Sequence, residues 1–243
     1  MLTFSNPPSD TVNWLRRKPV AHRGLHDLKA GIVENTLEAC KTAMEAGYNI
    51  EVDLQPSSDG VPMVFHDYTL ERLTGRGGDV RAMTASQLGT LAVHPGKGTI
   101  PTLGQLLELI QGKAGIVLEL KGKPGADDGF IEAVAQEVKG YEGDIAIMSF
   151  HHHLLRDARR VAPDLALGLT AEGDNRSYEA HREISEETGI DFISYELENL
   201  DCRYVAEFLD SGRPVISWTV KSAKDAAYSK QFAHQPTFEG FRP

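Results

Sequence analysis

Cysteine is scarce in this chain, with only Cys40 and Cys202 in 243 residues. Two thiols so far apart in so long a sequence provide neither a disulfide framework nor a zinc spacing, and they fit a reducing, cytoplasmic setting. Long apolar runs are absent as well. Nothing approaches the roughly 20 apolar residues of a membrane helix, so no membrane span is expected. The N-terminus lacks the basic patch and unbroken apolar core of a secretory signal. It carries Ser5, Asn6, Pro7, Pro8, Ser9 and Asp10 instead, and Met1 to Leu15 reads as a short arm leading into the first strand. Positive charge is in deficit: 25 Lys and Arg face 35 Asp and Glu, a formal net charge of −10. Such a chain repels phosphate backbones, which excludes nucleic acid as the expected partner and leaves small molecules. No repeat, low-complexity tract or linker divides the sequence, so residues 1–243 are expected to form one domain.

What the chain does contain is an alternation of short β-branched or apolar runs with longer helical patterns, the signature of βα units around a parallel sheet. Eight runs qualify as barrel strands: Pro19 to His22, Asn49 to Leu54, Gly115 to Lys121, Asp144 to Ser149, Leu165 to Thr170, Asp191 to Tyr195, Pro214 to Val220, and a weak last one near Thr237 to Phe241. Helical patterns lie between them, and the length matches the about 250 residues typical of an α/β protein of the (β/α)8 TIM barrel class. A ninth run, Val61 to Phe65, stands too close to the second strand for a parallel crossover, which needs about a dozen residues. The Asp59-Gly60 pair before it favours a tight turn, so this run is expected to fold back as an antiparallel β-hairpin and bring His66 alongside Glu51 and Asp53. The stretch from Asp67 to Thr99, rich in Gly, Thr and Arg, reads as an excursion over one barrel end.

Glu51 and Asp53 are two apart on a strand and share one face, as do Glu119 and Lys121. Turned into a barrel, these carboxylates repel unless a basic side chain or a metal cation compensates them. All-oxygen ligands suit Mg2+ or Ca2+ better than zinc, with Lys121 left as a point charge for a phosphate oxygen. Solvated strands with alternating polarity, and a plain Glu119–Lys121 ion pair, give the same pattern. His22-Arg23-Gly24 falls at a strand end where barrel sites are built: a histidine there can move a proton, and an arginine can clamp a phosphate. A lone histidine in such a place is commonly structural. His66 supplies the second proton-transfer group that phosphodiester cleavage needs, one to activate the nucleophile and one to protonate the leaving alkoxide. Asn35 reads as a helix cap, with Glu38 completing a box. His151, His152 and His153, at the start of a helix, read as surface or rim residues.

Taken in order, Ala21-His22-Arg23-Gly24, Glu34-Asn35-Thr36, Glu51-Val52-Asp53, Val64-Phe65-His66-Asp67, Ile100-Pro101-Thr102-Leu103, Leu118-Glu119-Leu120-Lys121, Ser149-Phe150 and Trp218-Thr219-Val220 resemble the glycerophosphodiester phosphodiesterase family. The resemblance runs from about Val20 to Pro243. It implies acid/base roles for His22 and His66, a divalent metal on Glu51, Asp53 and Glu119, phosphate contacts for Arg23 and Lys121, and a pocket lined by Phe150 and Trp218. Ordinary barrel packing accounts equally well for the last two, and the same likeness gives Glu34 or Asn35 a secondary role at the site mouth as the alternative to capping. The implied activity is cleavage of glycerophosphodiesters to glycerol 3-phosphate and an alcohol. A lysophospholipase of D-like or C-like type and a phosphate-binding barrel without hydrolysis are the alternatives. The chain departs from the family pattern at Lys221, where Asn is common, and in its closing residues Phe241-Arg242-Pro243.

Overall fold

The apolar runs form strands because their β-branched residues pack well on a pleated surface. In the computed structural model, which describes residues 2–4 and 8–243, the strands are β1 (Val20–Ala21), β2 (Asn49–Pro56), β3 (Pro62–Val64), β4 (Ile116–Leu120), β5 (Ile145–Ser149), β6 (Ala166–Ala171), β7 (Phe192–Glu196), β8 (Val215–Val220) and β9 (Gln235–Phe238). The helices are α1 (Leu37–Glu45), α2 (Glu71–Thr74), α3 (Ala85–Leu88), α4 (Leu103–Ile110), α5 (Phe130–Val138), α6 (His152–Val161), α7 (Tyr178–Thr188), α8 (Arg203–Asp210) and α9 (Ala223–Ser229). Eight strands run parallel in the order β1-β9-β8-β7-β6-β5-β4-β2, and β1 pairs with both β2 and β9, closing a (β/α)8 barrel. None of the helices among the described residues is long and apolar enough to cross a membrane.

β3 turns back antiparallel on β2, pairing Leu54 with Val64. β2 carries β1 along the start of one edge and β3 along its end. The turn between them closes with Gly60 at φ +81, a conformation that glycine adopts without strain. From Asp67 to Thr99 the chain is more ordered than its composition indicates: α2, a 3-10 turn at Val80–Ala82 and α3 bring Leu70, Leu73, Val80 and Leu88 together with Met63 and Phe65 in an apolar cluster of their own. The main core lies between the outer barrel face and the helices, for example Ile116 and Leu118 against Leu106 and Ile110.

Two expectations need correction. The N-terminal arm does more than approach β1. Asp10–Arg16 is a 3-10 helix whose Val12, Trp14 and Leu15 pack with Val20, Val117, Phe192 and Ile216 inside the barrel, sealing the end opposite the strand C-termini; Met1, Ser5, Asn6 and Pro7 of that arm lie outside the described residues. The cap of α1 is Thr36, whose Oγ1 accepts from the Ala39 N–H, not Asn35. Asn35 stands at φ +55, outside the helix, and its side chain turns to the barrel mouth.

Candidate active site

At the C-terminal ends of the strands the predicted carboxylates converge. β2 and β4 are in register with Asp53 opposite Glu119, so the alternation of side chains that sets Glu51 and Asp53 on one face also sets Glu119 beside them. One oxygen from each of Glu51, Asp53 and Glu119 lies within 4.8 Å of the others. All three are buried, with Glu51 fully inaccessible.

Two cations face this triad. The Lys121 ammonium lies 2.9 Å from Asp53 Oδ1 and also bonds Glu119. Arg23 Nε is 3.2 Å from Asp53 Oδ2, while its Nη1 donates to Glu34 at 2.7 Å. Burial works against the charge on Asp53, yet Lys121 and Arg23 outweigh it and hold the carboxyl well below its ordinary range. Glu51 fares differently: burial, then Asp53 and Glu119, push its carboxyl well above that range. The Arg23 backbone N–H donates to its Oε2 at 2.9 Å, and its buried Oε1 has no hydrogen-bond partner among the described residues. Lys121 and Arg23 engage Asp53 and Glu119 and leave the buried Oε1 of Glu51 without a partner among the described residues. An orphaned carboxylate oxygen inside an all-oxygen triad is therefore a good fit to a divalent cation of the hard, oxygen-seeking kind.

Both predicted histidines line the same cavity of about 110 Å³, with Arg23, the triad, Lys121, Phe150 and Trp218. His22 follows β1, at a sharp exit made by Arg23 (φ +55) and Gly24 (φ +79). A Cβ at Gly24 would come within 2.7 Å of the Ala39 backbone, so the turn requires glycine. His22 Nε2 points toward the triad, 3.9 Å from Glu51 Oε2, and Nδ1 lies 2.6 Å from Glu239 Oε2. His66 also has a carboxylate behind it, with Nδ1 2.7 Å from Asp67 Oδ1. Arg72 bridges Asp67 to Glu34 and so ties the hairpin segment to the loop after β1.

Phe150 and Trp218 meet edge to face at 5.4 Å, and the Trp218 indole N–H donates to the Ser194 carbonyl. Phe150 is among the few large apolar side chains left exposed, as is Tyr68, which borders an adjoining cleft of about 520 Å³ together with His66, Lys121 and His151. His151 thus belongs to the rim of the mouth, whereas His153 bonds Asp127.

Four residues of the site are not apparent from the sequence pattern. Gln55, buried on β2, donates its amide to the carbonyls of Phe65, His66 and Asp67, clamping the segment that carries His66. Asn35 donates to Asp53 Oδ2 and accepts from the Asp53 N–H. Asp67 and Glu239 are the carboxylates behind the two imidazoles. For Asp67 adjacency to His66 is the available signal; for Glu239, more than 200 residues from His22, the sequence carries none.

The profile of the glycerophosphoryl diester phosphodiesterase family matches residues 22–236. A glycerophosphodiester phosphodiesterase of Caldanaerobacter subterraneus is 37% identical over 162 residues, which cover 62% of this chain and 65% of that protein. One from Bacillus altitudinis is 31% identical over 163 residues, covering 63% and 65%. The matched segments therefore span 65% of each of these relatives, just short of two thirds. Among solved structures, an Oleispira antarctica phosphodiesterase in complex with the product sn-glycerol-3-phosphate superposes with a TM-score of 0.81 at 25% identity, over 91% of this chain and 92% of that one. The glycerophosphodiester phosphodiesterase of Thermotoga maritima gives 0.74 at 25% identity, over 91% and 94%. Barrel, convergent carboxylates and profile agree, and the chain belongs to the glycerophosphoryl diester phosphodiesterase family.

Proposed function

We propose that the chain hydrolyses glycerophosphodiesters at phosphorus, releasing glycerol 3-phosphate and an alcohol, with His22 and His66 exchanging the protons. The observation that carries this is the pair of imidazoles lining one cavity together with an acidic triad. Glu51, Asp53 and Glu119 would hold a Mg2+ or Ca2+ ion, whose charge, when bound, neutralises the non-bridging phosphoryl oxygens. Arg23 and Lys121 stand over the triad as donors to those oxygens: a planar guanidinium beside a compact ammonium, fixed before the substrate arrives. Behind each imidazole is a carboxylate that can only accept a hydrogen bond, so Nδ1 carries the proton and Nε2 is free to take one from the nucleophile. The other ring, once protonated, delivers its proton to the leaving alkoxide. Phe150 and Trp218, in edge-to-face contact, supply apolar lining to the same cavity. The Oleispira antarctica enzyme holds sn-glycerol-3-phosphate, a product of the same chemical class.

A lysophospholipase-type reaction is the second reading, favoured by Tyr68 and Phe150, exposed at the cleft that opens from the cavity. A panel of water-soluble and acylated glycerophosphodiesters, assayed with and without chelator, separates the two. The proposal predicts turnover of the soluble members, loss of turnover with chelator, and loss in His66→Ala. Turnover of none of them, or turnover indifferent to His66→Ala, refutes it.

A further inference from the structure

Three neighbouring strands of the closed barrel, β8, β9 and β1, are followed directly by Lys221, Glu239 and His22. Backbone bonds hold these ends together: His22 N–H donates to the Phe238 carbonyl at 3.0 Å and Glu239 N–H to the Val220 carbonyl at 3.1 Å. The Glu239 side chain, largely buried, divides its oxygens. Oε2 faces His22 Nδ1 at 2.6 Å, with His26 Nε2 at 3.7 Å, and Oε1 takes the Lys221 ammonium at 2.8 Å. A carboxylate held from both sides has one orientation available, and the ring it accepts from is fixed in turn. The same imidazole, carboxylate and cation sequence recurs on unrelated chain segments across the cavity, where Asp67 accepts from His66 Nδ1 at 2.7 Å and from Arg72 Nε at 2.6 Å.

We propose that Glu239, braced by Lys221, is the positioning residue of His22: it holds the imidazole with Nδ1 protonated and Nε2 directed at the phosphoryl site. This rests on the acid/base role proposed above for His22. Lys221 contributes chiefly geometry, because its side chain is 63% exposed and its charge is screened. An amide in place of the carboxylate can donate to Nδ1 as readily as accept from it, which permits the other tautomer and turns a proton-bearing Nε2 to the substrate.

The test compares Glu239→Gln, Lys221→Met, His22→Ala and the double variant Glu239→Gln/His22→Ala on a glycerophosphodiester with saturating Mg2+ or Ca2+. Glu239→Gln is expected to lower kcat on the order of 10²-fold with KM nearly unchanged, as partners behind a working histidine do elsewhere. Against the His22→Ala background the same change is expected to cost nothing further. In 15N-labelled protein, the neutral His22 ring should show Nδ1–H in the wild type and a mixture of tautomers in Glu239→Gln. Lys221→Met, at an exposed position where folding is not at stake, should lower kcat several-fold. A wild-type kcat in either single variant, an equal loss with and without His22, or an unchanged tautomer overturns the proposal. Full activity in His22→Ala instead overturns the acid/base reading beneath it.

Discussion

Replacing Glu51 by Gln removes one charge from the triad while keeping the shape and the oxygen that accepts the Arg23 N–H. Without a cation that change is nearly free, since burial and its acidic neighbours already disfavour the ionised form of Glu51. With a cation it deletes an anionic ligand. A cation at 100 times its Kd stabilises the folded protein by about 2.7 kcal/mol. For a chain of this size each kcal/mol moves Tm by roughly 2–4 °C, so Mg2+ or Ca2+ should raise the wild-type Tm by about 5–10 °C over the chelated protein. In Glu51→Gln the chelated Tm should match or exceed that of the wild type, and the cation-dependent rise should fall below about 2 °C. Calorimetric scans over a cation titration, with chelator as reference, measure both quantities. An equal cation shift in both proteins, or a Glu51→Gln protein several kcal/mol less stable under chelator, would refute the idea that the orphaned oxygen of Glu51 awaits a metal.

Three further outcomes follow from local geometry. Gln55→Ala frees three carbonyls of the segment that bears His66; denaturant titration should show a loss of about 1–3 kcal/mol, and kcat should drop on the order of 10²-fold through misplacement of the ring. Gly24→Ala forces a side chain into a left-handed turn against the Ala39 backbone. It should cost at least about 1–3 kcal/mol in the same titration, and a stability within experimental error of the wild type would show that the loop after β1 can yield. Burial among Tyr195 and Tyr204 lowers the pKa of His181 to about 4. As pH falls below about 6.5 the unfolded chain takes up a proton that the folded one refuses until near that lower value, so stability present above about 6.5 is lost on acidification. Between pH 7 and 4.5 this group should contribute a loss of about 2–3 kcal/mol, absent in His181→Gln.

How far the sequence leads depends on whether a feature is periodic or long-range. The spacing of Glu51 and Asp53, and of Glu119 and Lys121, is a property of the strand itself, so their shared face is legible in the residue pattern alone. The hairpin that returns His66 is equally local, written in Asp59-Gly60 and a separation too short for a crossover. Gln55 is not legible in this way: a polar residue amid an apolar strand says nothing about the three carbonyls it reaches. Asn35 misleads, because a residue at a helix start that could cap it leaves the cap to Thr36 and turns to Asp53 instead. Trp14 and Leu15 look like ordinary arm residues until barrel closure supplies the interior they fill. Glu239 depends wholly on closure, since only the pairing of β1 with β9 brings it to His22.

The most direct measurement is hydrolysis of glycerophosphocholine in 18O-labelled water, followed by 31P NMR and mass analysis of the products. Attack at phosphorus between His22 and His66 predicts one 18O in the phosphoryl group of glycerol 3-phosphate, none in the choline, and product formed by His22→Ala or His66→Ala only at a small residual fraction of the wild-type rate. Label in the choline, or labelled product formed at the wild-type rate by either variant, would contradict the account.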